Sequence, residues 1–209
     1  MLDTHCRRWY RKIFTDPVVN FLVKYRFHPN LLSFIACGFG LLIIPLLYFD
    51  YNWIAVLALI ISGYLDTLDG AMARAMRQVS TQGAVIDIVG DRLVELSVVI
   101  ALFLVNPPGR GLWCVLLLGS ILLCVTSFLV VSIFITNSND KAQQKIAKSF
   151  NYSPGLIERA EAFIFFILMI ILPSLFTFFA LIFIILVSYT ALLRVVEFCR
   201  SQKPVCEDL

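Results

Sequence analysis

Apolar residues run through this chain in stretches of about 20, the length that crosses a bilayer as a helix, and polar residues collect between the stretches. Six such stretches are expected as helices: about Leu31 to Phe49, Trp53 to Met72, Ala84 to Val105, Leu112 to Thr136, Ala160 to Phe176, and Phe178 to Val196. Turn residues mark the breaks, with Asp50-Tyr51-Asn52 after the first and Asn106-Pro107-Pro108-Gly109-Arg110-Gly111 after the third. Between the fifth and sixth only Pro173-Ser174 interrupts the apolar pattern, which predicts a tight hairpin there. The segment Arg7 to Tyr25 differs. It mixes Arg and Lys with Trp9, Tyr10, Phe14, Val18, Val19, Phe21 and Leu22, and predicts an amphipathic helix on the inner leaflet, broken near Asp16-Pro17.

Composition settles the class. With 60% hydrophobic and 15% charged residues in 209 positions, and a mean hydropathy of +0.88, the chain holds more apolar surface than a soluble domain of this size can hide. The expected fold is an all-α integral membrane protein, six transmembrane helices plus an N-terminal amphipathic interfacial helix. It forms one membrane domain, with a juxtamembrane segment at 1–27, a six-helix core at 28–198 and a cytoplasmic tail at 199–209. The first 26 residues are basic and aromatic and do not read as a cleavable leader. The cysteines at 6, 37, 114, 124, 199 and 206 show no Cys-x-x-Cys spacing and read as apolar or reduced cytosolic thiols. Two histidines, His5 and His28, are too few for an imidazole metal site or a Ser-His-Asp triad.

Charge placement gives the orientation. With the amino terminus inside, the basic residues from Arg7 to Arg26, then Arg74 and Arg77, then Lys141, Lys145, Lys148 and Arg159, then Arg194, Arg200 and Lys203 all fall on the cytoplasmic side. Of the 17 cationic residues that leaves Arg92 within the third span and Arg110 outside. This one-sidedness favours an even number of spans with both termini in the cytoplasm, expected here as a bacterial inner membrane.

Against that apolar background four aspartates stand out, in Asp66-Thr-Leu-Asp69-Gly70-Ala-Met-Ala73-Arg74 and in Gly83, Asp87 and Asp91. Carboxylates are expensive in or near a bilayer, so a cluster of them marks function by default. Asp66 and Asp69 are an i,i+3 pair and Asp87 and Asp91 an i,i+4 pair, so each pair shares one face of its helix. Gly70 and Ala73 leave room for a ligand to approach the backbone, and Arg74 can fork onto a phosphate. Hard cations such as Mg2+ or Mn2+ take oxygen ligands together with substrate phosphates, and paired metals stabilise attacking and leaving oxygens. A carboxylate at the cluster's edge could take a proton from an incoming hydroxyl. Two other readings stay open. The acids could be ion-pair partners for Arg74, Arg77 and Arg92, or they could bind ions or relay protons in a transporter. The acids lie near one face rather than at mid-bilayer, and no inverted repeat is visible, which speaks against transport.

The run Asp66-x2-Asp69-Gly70-x2-Ala73-Arg74-x8-Gly83-x3-Asp87-x3-Asp91 resembles the signature of the CDP-alcohol phosphotransferase (phosphatidyltransferase) family, with every fixed position present. The resemblance implies transfer of a phosphatidyl or phosphoalcohol group from a CDP-linked donor to an alcohol, with release of CMP. It implies that Asp66, Asp69 and Asp87 bind metal, and that Asp91 contacts metal and deprotonates the acceptor. Gly70 and Arg74 are implied to contact the CDP moiety, Ser80 to touch the nucleotide, and Asn30 of Pro29-Asn30 to lie near the donor phosphates. A homodimer is implied as well. No nucleic-acid partner is expected.

Two features bear on the acceptor. Asp91 is followed by Arg92, as in inositol-using branches, and Gly155-x2-Glu158-Arg159-x-Glu161 resembles a segment of inositol-phosphate and related archaeal branches whose arginine binds the acceptor phosphate. Where those branches carry Lys-x-Arg, this chain reads Lys141-Ala142-Gln143. Lys141, Arg159 and Arg194 are the candidate acceptor contacts. CDP-diacylglycerol is the expected donor and glycerol 3-phosphate the first acceptor, with inositol phosphate, serine or another alcohol as alternatives.

Overall fold

The computed structural model describes residues 15–25, 28–76, 80–136 and 159–201. Regular structure among them is helical throughout, with no strand. They belong to two compact units, Met1–Gly109 and Arg110–Leu209.

The first unit holds α1 (Asp16–Lys24), α2 (Pro29–Tyr48), α3 (Asn52–Ala75) and α4 (Thr81–Val105). Pro17 and Pro29 each sit in a first helical turn, where a missing N–H costs nothing and the fixed φ is already helical. α1 begins at the position where a break was expected, Asp16-Pro17; residues 1–14, the rest of the expected amphipathic segment, lie outside the described residues. Val19 anchors α1 in a cluster with Leu32, Leu68, Ala71 and Met72, while Phe21 and Tyr25 stay exposed.

The turn between α2 and α3 falls where the sequence placed it. Asp50 takes a φ of 61°, the left-handed region that aspartate tolerates better than most residues. The amides of Asp50 and Tyr51 donate to the carbonyls of Leu47 and Leu46 at 3.1 and 2.9 Å, so the end of α2 is closed by its own backbone.

α2 is the central strut, packing against both α3 and α4. Against α3 the tie is polar: the buried Ser62 hydroxyl donates to the carbonyl of Ala36 at 2.8 Å. Against α4 the tie is steric. A Cβ on Gly40 would lie 2.5 Å from Val94 Cγ2, and one on Gly90 would lie 2.9 Å from Cys37 Sγ. Small residues let membrane helices approach to this distance.

The second unit holds α5 (Pro107–Thr136) beyond its first turn, α6 (Arg159–Ile171), a 3-10 turn at Pro173–Leu175 and α7 (Phe176–Ser201). Its core is formed by Leu117, Phe166, Met169, Ala180 and Phe183, all almost fully enclosed. The rings of Phe165 and Phe166 meet that of Phe183 at 5.6 and 5.5 Å, which joins α6 to α7 across the Pro173 break. Arg110, 7% exposed, sets its guanidinium 4.6 Å from the Phe176 ring centre.

Four helical stretches are long and apolar enough to cross a membrane by length and composition: Pro29–Tyr48, Asn52–Ala75, Pro107–Phe134 and Pro173–Cys199. The other two expected spans correspond to α4 and α6. α4 has 25 residues, but Asp87, Asp91, Arg92 and Glu95 interrupt its apolar run. α6 has 13 residues, about 20 Å of helix at 1.5 Å per residue.

Candidate active site

Each of the two acid-bearing helices is built to bring its carboxylates to one end of the first unit. On α3 the stripe Ala55, Val56, Ala58, Leu59, Ser62 is buried, and Asp66 and Asp69 lie one and two turns further along the helix. Leu68, Ala71 and Met72 are buried around Asp69, so the acid sits among the residues that pin α3 to α1 and α2. On α4, Ser80 caps the first turn: its side chain accepts from the Gly83 amide at 3.0 Å, the usual way to satisfy an orphan N–H at a helix start. The helix therefore opens three residues before the apolar run that predicted it, and Asp87 falls at the end of its second turn.

Asp66, Asp69 and Asp87 come together. Each offers one carboxylate oxygen, and these oxygens lie within 4.8 Å of one another. Asp69 is buried, Asp66 half-buried and Asp87 exposed, so the group opens to solvent on the α4 side. Bonds of about 2.0–2.1 Å in a Mg2+ octahedron put opposite oxygens about 4.2 Å apart. The three donors are all hard oxygens, and no two of them are further apart than 4.8 Å, so they fit a divalent cation of this kind.

Asp91 stands one turn beyond Asp87 on α4, outside this three-carboxylate group. It is half-buried, with Oδ1 shielded from solvent. Beside it Arg92 donates to Glu95 one turn along, which compensates two charges within the helix itself. The residues assigned to the donor are also placed. The Arg74 guanidinium lies along α3 over Gly70, with Nη1 3.4 Å from where a Cβ on that glycine would be. A Cβ on Gly83 would lie 3.2 Å from Ser80 Oγ and 3.8 Å from Asn30 Oδ1, so Asn30 on α2 faces the capped start of α4.

The acceptor residues are less concentrated. Lys141 lies outside the described residues, and Arg159 opens α6. Arg194 belongs to the second unit, where its Nη1 donates to the Cys124 carbonyl at 3.5 Å and its guanidinium lies 5.4 Å from the Phe128 ring centre.

One participant was not foreseen. Ser33 on α2 donates its hydroxyl to Asp69 Oδ2 at 2.5 Å. Its signal in the sequence is faint but present: it is the polar residue one turn after Asn30 in an otherwise apolar helix.

Comparison with known proteins agrees with this geometry. The sequence model of CDP-alcohol phosphatidyltransferase matches residues 26–196. The inner membrane protein YnjF of Escherichia coli is 29% identical over 176 residues, 84% of each chain. Archaetidylinositol phosphate synthase of Pyrococcus horikoshii is 31% identical over 148 residues, 71% of this chain and 69% of that one. In fold, the chain resembles a crystal structure of phosphatidylinositol phosphate synthase from Mycobacterium tuberculosis with CDP-DAG bound, at a TM-score of 0.67 and 18% identity, covering 94% of this chain and 98% of the other.

Proposed function

The chain belongs to the CDP-alcohol phosphatidyltransferase family, and from that premise we propose that it moves the phosphatidyl group of CDP-diacylglycerol onto the hydroxyl of a small alcohol and releases CMP. The observation that carries this reading is the convergence of Asp66, Asp69 and Asp87 from two helices onto one point at the end of the first unit.

Each chain residue has a task in the reaction. Asp66, Asp69 and Asp87 hold divalent metal, Mg2+ or Mn2+. When bound, such ions neutralise the donor diphosphate and stabilise the charge that builds on the departing phosphate. Arg74 adds a fixed positive charge beside that diphosphate, and Gly70 leaves the backbone open to it. Asn30 and Ser80 flank the nucleotide. Asp91 accepts the proton of the acceptor hydroxyl. The freed oxygen forms a bond to the phosphorus that carries diacylglycerol, and the bond from that phosphorus to the CMP oxygen breaks. Asp91 stands one turn along α4 from Asp87, beside the metal-holding group, which suits an acid that takes a proton next to the reacting phosphate.

The acceptor is a phosphorylated alcohol, with Lys141, Arg159 and Arg194 supplying the positive charge that receives its phosphate. Glycerol 3-phosphate is the first reading, since Gln143 replaces one of the cations that inositol-phosphate branches carry. Inositol phosphate is the second, favoured by the Asp91-Arg92 pair and by the likeness to an archaetidylinositol phosphate synthase. The enzyme acts as a homodimer in a bacterial inner membrane, with the site facing the cytoplasm, a placement supported by the similarity to an inner membrane protein of Escherichia coli.

The test is a panel of alcohols, including both phosphates and serine, offered to purified protein with Mg2+ and labelled CDP-diacylglycerol. Product lipid is read by chromatography and CMP by release. The expected result is one lipid product, stoichiometric CMP, and loss of both on chelation. No CMP with any acceptor, together with an ion flux in liposomes that depends on Asp66 or Asp87, would replace this reading with transport.

A further inference from the structure

We propose that Ser33 is a positioning residue for the metal centre: its hydroxyl fixes the Asp69 carboxylate so that α3 presents a set ligand to the ion, an inference that rests on the metal-holding role of Asp66, Asp69 and Asp87. Three observations support it. First, the Ser33 hydroxyl has a choice and the geometry decides it. The carbonyl of Pro29, one turn back in its own helix, lies at 3.4 Å, and Asp69 Oδ2 lies at 2.5 Å across the helix boundary. A serine in an apolar helix ordinarily bonds back to the preceding turn. Ser97, Thr67 and Thr190 do so here, at 2.7, 3.0 and 2.8 Å. Ser33 directs its proton to the acid instead.

Second, Asp69 is the enclosed member of the trio, at 5% exposure. Water is therefore largely denied to it as an orienting partner, whereas Asp66 and Asp87 keep access to solvent. Third, Ser33 is carried by the helix that packs on both acid-bearing helices. A hydrogen bond from α2 thus sets the α3 carboxylate in the frame that also holds α4 and Asp87. With Oδ2 held by Ser33, rotation of the carboxylate about its Cβ–Cγ bond is restricted, and the remaining lone pairs are held in fixed directions. Outer partners of this sort are worth 10–100-fold in metal affinity or activity elsewhere.

The experiment measures Mn2+ binding to the purified full chain by loss of the free-ion electron paramagnetic resonance signal, with no substrate present. Ser33→Ala, Ser33→Thr and Asp69→Asn are compared with the unchanged protein. Ser33→Ala is expected to weaken Mn2+ by about tenfold or more, and Ser33→Thr, which restores the hydroxyl, to recover most of that loss. Thermal melting of each variant in detergent reports folding separately.

Unaltered Mn2+ affinity in Ser33→Ala, with Asp69→Asn losing binding, would overturn the Ser33 role while leaving the metal centre standing. Equal loss in the alanine and threonine variants would overturn it too, because shape rather than the hydroxyl would then be at work. Binding that ignores Asp69→Asn altogether would remove the metal centre, and with it any task for Ser33.

Discussion

Gly40 on α2 faces Val94 on α4 so closely that a methyl group on the glycine would come within 2.5 Å of Val94 Cγ2 and 3.1 Å of its Cβ. Valine is stiff about χ1, so it cannot swing aside. Gly40→Ala is expected to push α4 away from α2, to lower the melting temperature in detergent by an amount consistent with about 1–3 kcal/mol of overpacking, and to reduce turnover, because Asp87 travels with α4. Gly40→Ala combined with Val94→Ala should melt closer to the starting protein than the single variant does. A neutral single variant would mean that the two helices are held apart by something else.

Asp91 and the trio can be separated by their readouts. Asp91→Asn is expected to cut CMP release by about 10²–10⁴-fold, the usual worth of a positioned base, and to leave Mn2+ affinity close to its starting value. Asp66→Asn and Asp87→Asn should lose both. If Asp91→Asn abolished Mn2+ binding as well, Asp91 would be a ligand.

Gly70 offers a cleaner division between fold and function. The atom nearest to a Cβ at that position is Nη1 of Arg74 at 3.4 Å, the far end of a flexible side chain. Gly70→Ala should therefore melt at or slightly above the original temperature, since alanine is the better helix former. Its KM for CDP-diacylglycerol should rise about tenfold, roughly 1.4 kcal/mol of lost donor binding. A fall in stability with unchanged KM would show that the glycine serves packing rather than the donor.

Arg194 tests the phosphorylated acceptor. Arg194→Gln is expected to raise the acceptor KM by about 10–100-fold, the range for hydrogen bonds to charged groups, with the donor KM unmoved. Arg194→Lys should recover only part of this, because lysine lacks both the fork and the flat face that lies over Phe128. A KM for acceptor that is indifferent to Arg194→Gln would take this residue out of the acceptor site.

The acids and their neighbours were legible because charge in an apolar run is costly and its spacing is periodic. Asp66, Asp69 and Asp87 could be assigned to two helices and one end from the sequence, and the Asp50 turn from its residue types. The meeting of Asp87 with Asp66 and Asp69 across two helices was not legible, because it depends on where α4 begins and how it is set against α2. Ser33 was missed because a lone hydroxyl in an apolar helix looks like any other, and its partner lies 36 residues away. Gly40 and Gly90 were silent for a related reason. A glycine shows that something comes close without saying what, and Val94 and Cys37 become the answers only in three dimensions.

The Asp50 turn and the two hydroxyls that cross from one helix to the other, Ser33 to Asp69 and Ser62 to Ala36, have a consequence for biogenesis. α2 and α3 leave the ribosome before α4, and they already possess a closed connection and internal polar ties. They can enter the lipid as a paired hairpin in which Ser33 already holds Asp69. The ion-holding trio is completed only when the next helix docks, so two of its three carboxylates are in place before the third has been synthesised.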